Sequence, residues 1–291
     1  MTLPLPLTFD LLALAILAAW LPTLRLDGYR VPPWTALLVL AVVAGAGVRV
    51  LTWSALGALA ALCAFAWAGH TAPRRRPLYV TLAALLALAM SLHWMPGFHN
   101  PMQFAGVRLT PDATPLTQYL NFDKGAAGLV LLAAFGARST SLRDFVRQWP
   151  TILVAALATA TLAIGLALAL GYIRFEPKLP DGTQAFLVAN LFFTCVAEEA
   201  FFRGLIQERL MRLADSRRQP AWTWIAIAAS ALLFGLAHAG GGATWMLIAT
   251  VAGFGYAAVY ARTRTIEGPI LVHFAVNAVH FLLFTYPALA A

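Results

Sequence analysis

The chain has 291 residues, 61% of them hydrophobic and 11% charged, with a mean hydropathy of +0.76. Soluble domains run at about a quarter charged and under half apolar, so this composition excludes a water-soluble enzyme and describes a chain solvated mostly by lipid. The net charge of +8 would suggest nucleic acid as the partner of a soluble chain; in a membrane protein the placement of charges matters more than their sum, and no nucleic-acid partner is expected.

Apolar runs bounded by charge, Pro or Gly fall near residues 9–24, 33–48, 52–69, 77–95, 125–137, 150–173, 182–208, 221–239, 243–261 and 267–286. At roughly 20 residues per crossing of the hydrocarbon core, the apolar content predicts an all-α, polytopic transmembrane bundle of about 8–10 helices. The fifth run is the shortest. The first carries Asp10 and no basic n-region, so it is read as a retained helix and not as a cleaved signal peptide. The polar interruption at 96–125 contains Phe98, His99, Asn100, Asn121, Asp123 and Lys124 and is expected to be a solvated non-cytoplasmic connector with interfacial aromatics. Residues 138–149 read as an amphipathic interfacial turn.

If the helices alternate in direction, fourteen basic residues from Arg25 to Arg264, Arg217 and Arg218 among them, share one side. The other side holds Arg49, Arg108, Lys124, Arg174 and Lys178, and Arg203 lies inside a helix. The positive-inside rule then puts both termini outside the cytoplasm and the protein in the inner (plasma) membrane. Cys63 and Cys195 sit in apolar runs and read as small hydrophobes. Two parts are expected: N-terminal transmembrane helices over 1–180, with the loop near 96–124, and a core over 181–291 that carries the chemistry.

An ionisable side chain at membrane depth is costly and marks function more often than not. Residues 182–208 contain Glu198, Glu199 and Arg203, the next run ends in His238, and the last carries His273, Asn277 and His280. On an α-helix Glu199 and Arg203 lie about 40° apart and can pair, which makes them structural support. Glu198 points about 100° away, beside Phe201 and Phe202, with no cation one turn off. A desolvated carboxylate of this kind suits a general base. His273 and Asn277 share a face, and at about 1.5 Å rise per residue Glu198, His238 and His273 lie roughly 16, 20 and 14 Å deep. These groups can therefore meet in an intramembrane cavity: Glu198 with His238 to deprotonate water, and His273 with Asn277 to hold an oxyanion. The reaction would be peptide-bond hydrolysis. His280 is read as a satisfied core histidine and Gly240–Gly242 as a tight turn.

The motifs Glu198-Glu199-Ala-Phe-Phe-Arg203, Phe234-Gly-Leu-Ala-His238 and His273-Phe-Ala-Val-Asn277 resemble the E-E-x-x-x-R, F-x-x-x-H and H-x-x-x-N pattern of the CPBP family. These are the CAAX-protease and bacteriocin-processing (Abi or Rce1-like) membrane peptidases. The resemblance covers about 182–286. It implies a glutamic-type intramembrane endopeptidase with the same four roles at Glu198, His238, His273 and Asn277, acting on a membrane-embedded or lipidated protein tail, either CAAX-like or a C-terminal sorting tail. No cofactor is expected. Two alternatives stay open: a zinc peptidase with Glu198, His238 and His273 as ligands, and a non-enzymatic scaffold or immunity protein whose polar groups bind helices together.

Overall fold

The computed structural model describes residues 6–217 and 220–290; Arg218, one of the basic residues expected on the cytoplasmic side, lies outside them. Ten helices are described: α1 (Leu7–Ala18), α2 (Pro33–Gly47), α3 (Trp53–Thr71), α4 (Arg76–Ser91), α5 (Phe122–Phe135), α6 (Leu142–Ala169), α7 (Thr183–Ser216), α8 (Pro220–Ala237), α9 (Gly242–Thr263) and α10 (Glu267–Leu283). Each coincides with one apolar run, so the all-α bundle stands. Helix length is less uniform than the runs imply. Four helices, α3, α6, α7 and the stretch Ala239–Thr263 containing α9, are long and apolar enough to cross a membrane; α1, α2, α8 and α10 are shorter apolar helices.

Two hairpins interrupt the helices. β1 (Leu24–Leu26) pairs antiparallel with β2 (Tyr29–Val31) across Asp27 and Gly28, which have φ of 47° and 86°. An Asp-Gly pair with both residues left-handed is the two-residue turn that matches strand twist. β3 (Met102–Val107) and β4 (Leu116–Tyr119) form the second sheet inside the loop expected to be a plain connector.

The chain forms two compact units. The first comprises Met1–Gln103, Gln118–Phe135 and Gln184–Phe201. Within it α1 packs on α2 and α3 on α4, while α5 touches α1, α3, α4 and the Val196–Glu199 turn of α7. α5 is therefore the core of this unit, and it is buried from Phe122 through Leu132 apart from Lys124. Small residues let it sit there: a Cβ on Gly125 would meet the Phe193 ring at 2.8 Å, and one on Gly128 would meet Ala197 Cα at 2.5 Å. Close backbone approach through glycine is the usual packing device of membrane helices, where no hydrophobic force drives helix onto helix.

The second unit comprises Phe104–Thr117, Gly136–Thr183 and Phe202–Ala291. α6 begins at a Ser141 cap that accepts from the Asp144 N–H at 3.1 Å, and it runs through Pro150. The amphipathic turn expected at 138–149 is thus mostly the first turns of α6. Proline removes one backbone donor, a loss that membrane helices tolerate. α9 packs on α6, α8 and α10. From α7, Arg203 donates to the Gly253 carbonyl at 2.9 Å and Gln207 to the Ala257 carbonyl at 2.8 Å. Both side chains are fully buried. Four-residue spacing on each helix makes this a two-rung ladder of side-chain donors on backbone acceptors. At the far end the C-terminal segment pairs with 172–178: the Glu176 N–H bonds the Leu283 carbonyl at 2.8 Å and the Thr285 N–H bonds the Arg174 carbonyl at 3.0 Å. Burial works to raise the Glu176 pKa, but the polar groups around it, among them the Thr285 hydroxyl at 3.0 Å and the Arg174 guanidinium at 3.4 Å, outweigh it and hold the carboxyl below its usual value.

Three outcomes are expected. Gly128→Val has no room beside Ala197, and overpacking of this kind costs about 1–3 kcal/mol, to be read as a lower Tm in detergent. Arg203→Lys keeps the charge but loses the planar fork and its stacking, so its Tm falls nearly as far as that of Arg203→Met. Glu176→Gln lowers Tm at neutral pH. Because the folded carboxyl titrates below its unfolded value near 4.5, the difference from wild type closes as pH drops beneath that value.

Candidate active site

The residues singled out by the motifs fall in both units. Glu198 and Glu199 belong to the first; Arg203, His238, His273 and Asn277 belong to the second. The Glu-Glu pair occupies a single α-helical turn, Val196–Glu199, set between two π-helical stretches, Asn190–Cys195 and Ala200–Gln207. π turns are uncommon and concentrate at functional sites. Azimuths counted at 100° per residue therefore do not carry across 200–207.

In the first unit the two acids differ in access. Glu199 is fully buried, whereas the Glu198 side chain keeps 13% of its exposure. The expectation that Glu198 lacks a cation is wrong: Lys124 Nζ lies 2.7 Å from its Oε1. Hydropathy alone puts Lys124 in a solvated loop, because the polar run ends there. In fact α5 starts at Phe122, already inside the protein, and its first turn carries the lysine. The turn is fixed by Asp123, 1% exposed, which accepts from His93 Nδ1 at 2.7 Å, from Asn100 Nδ2 at 3.0 Å and from the Lys124 N–H at 2.9 Å. Asn100 Oδ1 in turn accepts from the Phe122 N–H at 2.9 Å. This end of the connector is therefore folded in. The sequence signal was the tetrapeptide Asn-Phe-Asp-Lys, with two adjacent charges, running straight into an apolar helix.

In the second unit Phe234, the first residue of F-x-x-x-H, is the hub. Its carbonyl lies 2.8 Å from His238 Nδ1 and its ring 4.6 Å from the His238 ring. The ring also meets His273 edge-on at 5.6 Å, Phe202 at 5.3 Å and Tyr256 at 5.6 Å, with the Arg203 guanidinium 4.7 Å from its centroid. A guanidinium this close to a ring face gains cation–π attraction, which helps a buried charge to be tolerated. Phe202 packs edge-on against Phe234. His273 is 3% exposed and stacks on Tyr256 at 4.5 Å and 15°. Asn277 follows one turn later on α10, half-buried. His280 is buried against the Thr285 carbonyl at 3.2 Å, as a core histidine should be. Gly242, with φ of 88°, ends the tight turn after His238 and starts α9.

The His238 contact fixes a tautomer. A carbonyl only accepts, so Nδ1 carries the proton and Nε2 of the neutral ring is an acceptor. An apolar cavity of about 650 Å³ between α6 and α9, lined by Val154, Leu162 and Phe254 among others, contains none of the motif residues. Among the described residues no three His, Cys, Asp or Glu side chains are gathered as a metal site.

Comparison with protein families matches residues 180–279, roughly a third of the chain, to the family described as Type II CAAX prenyl endopeptidase Rce1-like. Comparison with curated proteins and with solved structures gave no match. The matched stretch spans all three motifs and includes both members of the Glu-Glu pair. Over residues 180–279 the chain is therefore similar to the Rce1-like, CAAX-type peptidases.

Proposed function

We propose that the protein is a multi-pass endopeptidase of the plasma membrane that hydrolyses a peptide bond within the bilayer, in the membrane-embedded or lipidated tail of another protein. Glu198 and His238 take the proton of the attacking water. The water oxygen bonds to the scissile carbonyl carbon, and His273 and Asn277 donate hydrogen bonds to the oxyanion so formed. As the intermediate collapses, the C–N bond breaks and the proton passes to the leaving nitrogen, giving a carboxylate and an amine.

The observation that carries this reading is the 2.8 Å contact of His238 Nδ1 with the Phe234 carbonyl. That Nδ1–H is committed to the Phe234 carbonyl, which leaves Nε2 as the lone-pair nitrogen that a base requires. The assignment of Glu198 over Glu199 is supported by access, since only Glu198 retains exposure. Glu199 and Arg203 are structural support in this scheme. The reaction is read as metal-free. Support comes from the Lys124 ammonium, which occupies Glu198 Oε1 at 2.7 Å and would compete with a metal for the same oxygen. A zinc scheme through Glu198, His238 and His273 would instead convert the base into a ligand.

The test compares C-termini of membrane and secreted proteins, by mass spectrometry, in cells carrying wild-type or Glu198→Gln protein. A C-terminus present with wild type and missing with the variant is the expected result, and it names the substrate. Identical termini in both, with the variant folded and in the membrane, sink the peptidase reading and leave the scaffold. Processing that persists in chelator-treated membranes, with no stoichiometric metal in the purified protein, separates the metal-free scheme from the zinc one.

A further inference from the structure

The three motifs contain the acid but not the lysine at its Oε1. Lys124 lies outside the stretch that matches the peptidase family, in a unit built mostly from the first 135 residues. Resting on the hydrolase reading above, we propose that Lys124 is a positioning residue for the reaction: held at the start of α5 by the His93–Asp123–Asn100 network, its ammonium keeps the Glu198 carboxylate ionised and aimed.

Two independent observations support this. The first is the division of labour between neighbours. Asp123 is the nearest carboxylate to Lys124 along the chain, yet its oxygens accept from His93, Asn100 and the Lys124 backbone. Adjacent helical residues point about 100° apart, so the lysine side chain leaves Asp123 behind and reaches Glu198 instead. The second is packing. Gly128 lies one turn beyond Lys124 on the same face of α5 and meets Ala197, the residue before Glu198, so closely that no Cβ fits between them. The face of α5 that carries the lysine is thus pressed onto the turn that carries the acid, and the reach of one side chain is enough.

The physical need is plain. A carboxylate among apolar helices, without a cation, lowers its free energy by taking up a proton, and a protonated carboxyl cannot accept one from water. An ion pair inside low dielectric removes that escape, provided the cation is itself fixed. Here the fixing groups are polar residues of the connector and of the end of α4, which gives the N-terminal helices a role in the chemistry.

The test uses full-length protein in cells and in lipid: wild type, Lys124→Met, Lys124→Arg, Glu198→Gln and the double variant Lys124→Met/Glu198→Gln. One readout is the yield of the Glu198-dependent C-termini. The other is the infrared spectrum, which distinguishes an ionised carboxylate from a protonated carboxyl whether or not anything is cleaved. Lys124→Met should lower the yield by about tenfold or more, and Lys124→Arg should return it to within about threefold of wild type. Lys124→Met should also gain a protonated-carboxyl band that the double variant lacks. Wild-type yield in Lys124→Met, a higher yield, no new band, or an arginine variant as impaired as methionine each overturn the proposal. Should Lys124→Met fail to reach the membrane folded, Lys124→Gln is judged by the same criteria. If no terminus depends on Glu198 at all, the peptidase reading itself falls and the role of Lys124 in it falls too; if such termini exist and ignore Lys124, only the present inference fails.

Discussion

An ionised group placed among apolar helices must meet an opposite charge or a dense set of dipoles, and this requirement governs the protein more than any other. Glu198 meets it with Lys124. That contact demands that a lysine enter the protein at the start of a helix, that the helix lie against the acid-bearing turn, and that its first turn be held still. Each demand is visible in composition: Gly125, Ala126, Ala127 and Gly128 thin the surface of α5, and Asp123 with Asn100 and His93 anchors its start. A short helix of 14 residues, from the shortest apolar run in the chain, thereby becomes the centre of its unit.

Arg203 shows how dipoles and rings contribute to the same requirement. The guanidinium, fully buried, donates to the Gly253 carbonyl and lies near the rings of Phe202, Phe234 and Tyr256. Arginine suits this place because a planar, delocalised cation can stack and donate at once, which a lysine ammonium cannot. The ring nearest to it, Phe234, is also the ring against which His238 and His273 rest. The phenylalanine of F-x-x-x-H is therefore more than filler: its carbonyl sets the histidine tautomer and its ring sets the places of both imidazoles relative to the arginine.

Ten apolar runs became ten helices because exclusion of bare backbone from lipid leaves helices as the structure for long apolar segments. The same rule made Lys124 hard to see. Hydropathy marks where a run stops being apolar, and it read the charges at 121–124 as solvent-facing when they had moved inside with their own partners. The β1–β2 hairpin was legible in Asp27-Gly28 but too short to stand out against the helical pattern. Pro150 looked like a helix boundary, whereas the Ser141 cap nine residues upstream marks the true start. Contacts between distant segments, such as Asn100 with Asp123, have no signal in a single sequence beyond the residue types themselves.

The π-helical stretches separate what motif spacing fixes from what α-helical geometry would fix. A π turn closes its hydrogen bond five residues on and not four, so it inserts a residue into the helix and turns every later side chain toward a new face. It also leaves backbone groups seeking other partners: the Phe202 carbonyl, inside Ala200–Gln207, accepts from the buried Ser230 hydroxyl at 3.2 Å. A sequence pattern such as E-E-x-x-x-R fixes the residues and their order, and both survive the insertion. Which groups share a face does not survive it, because that depends on the pitch, and no residue in Ala-Phe-Phe is forbidden in either kind of turn. Such a departure from α geometry is held in place by tertiary contacts, here the ladder from Arg203 and Gln207 onto the carbonyls of α9 and the hydroxyl of Ser230 on α8. The local conformation of α7 is thus decided by helices that follow it in the chain, and reading α7 alone could not have recovered it.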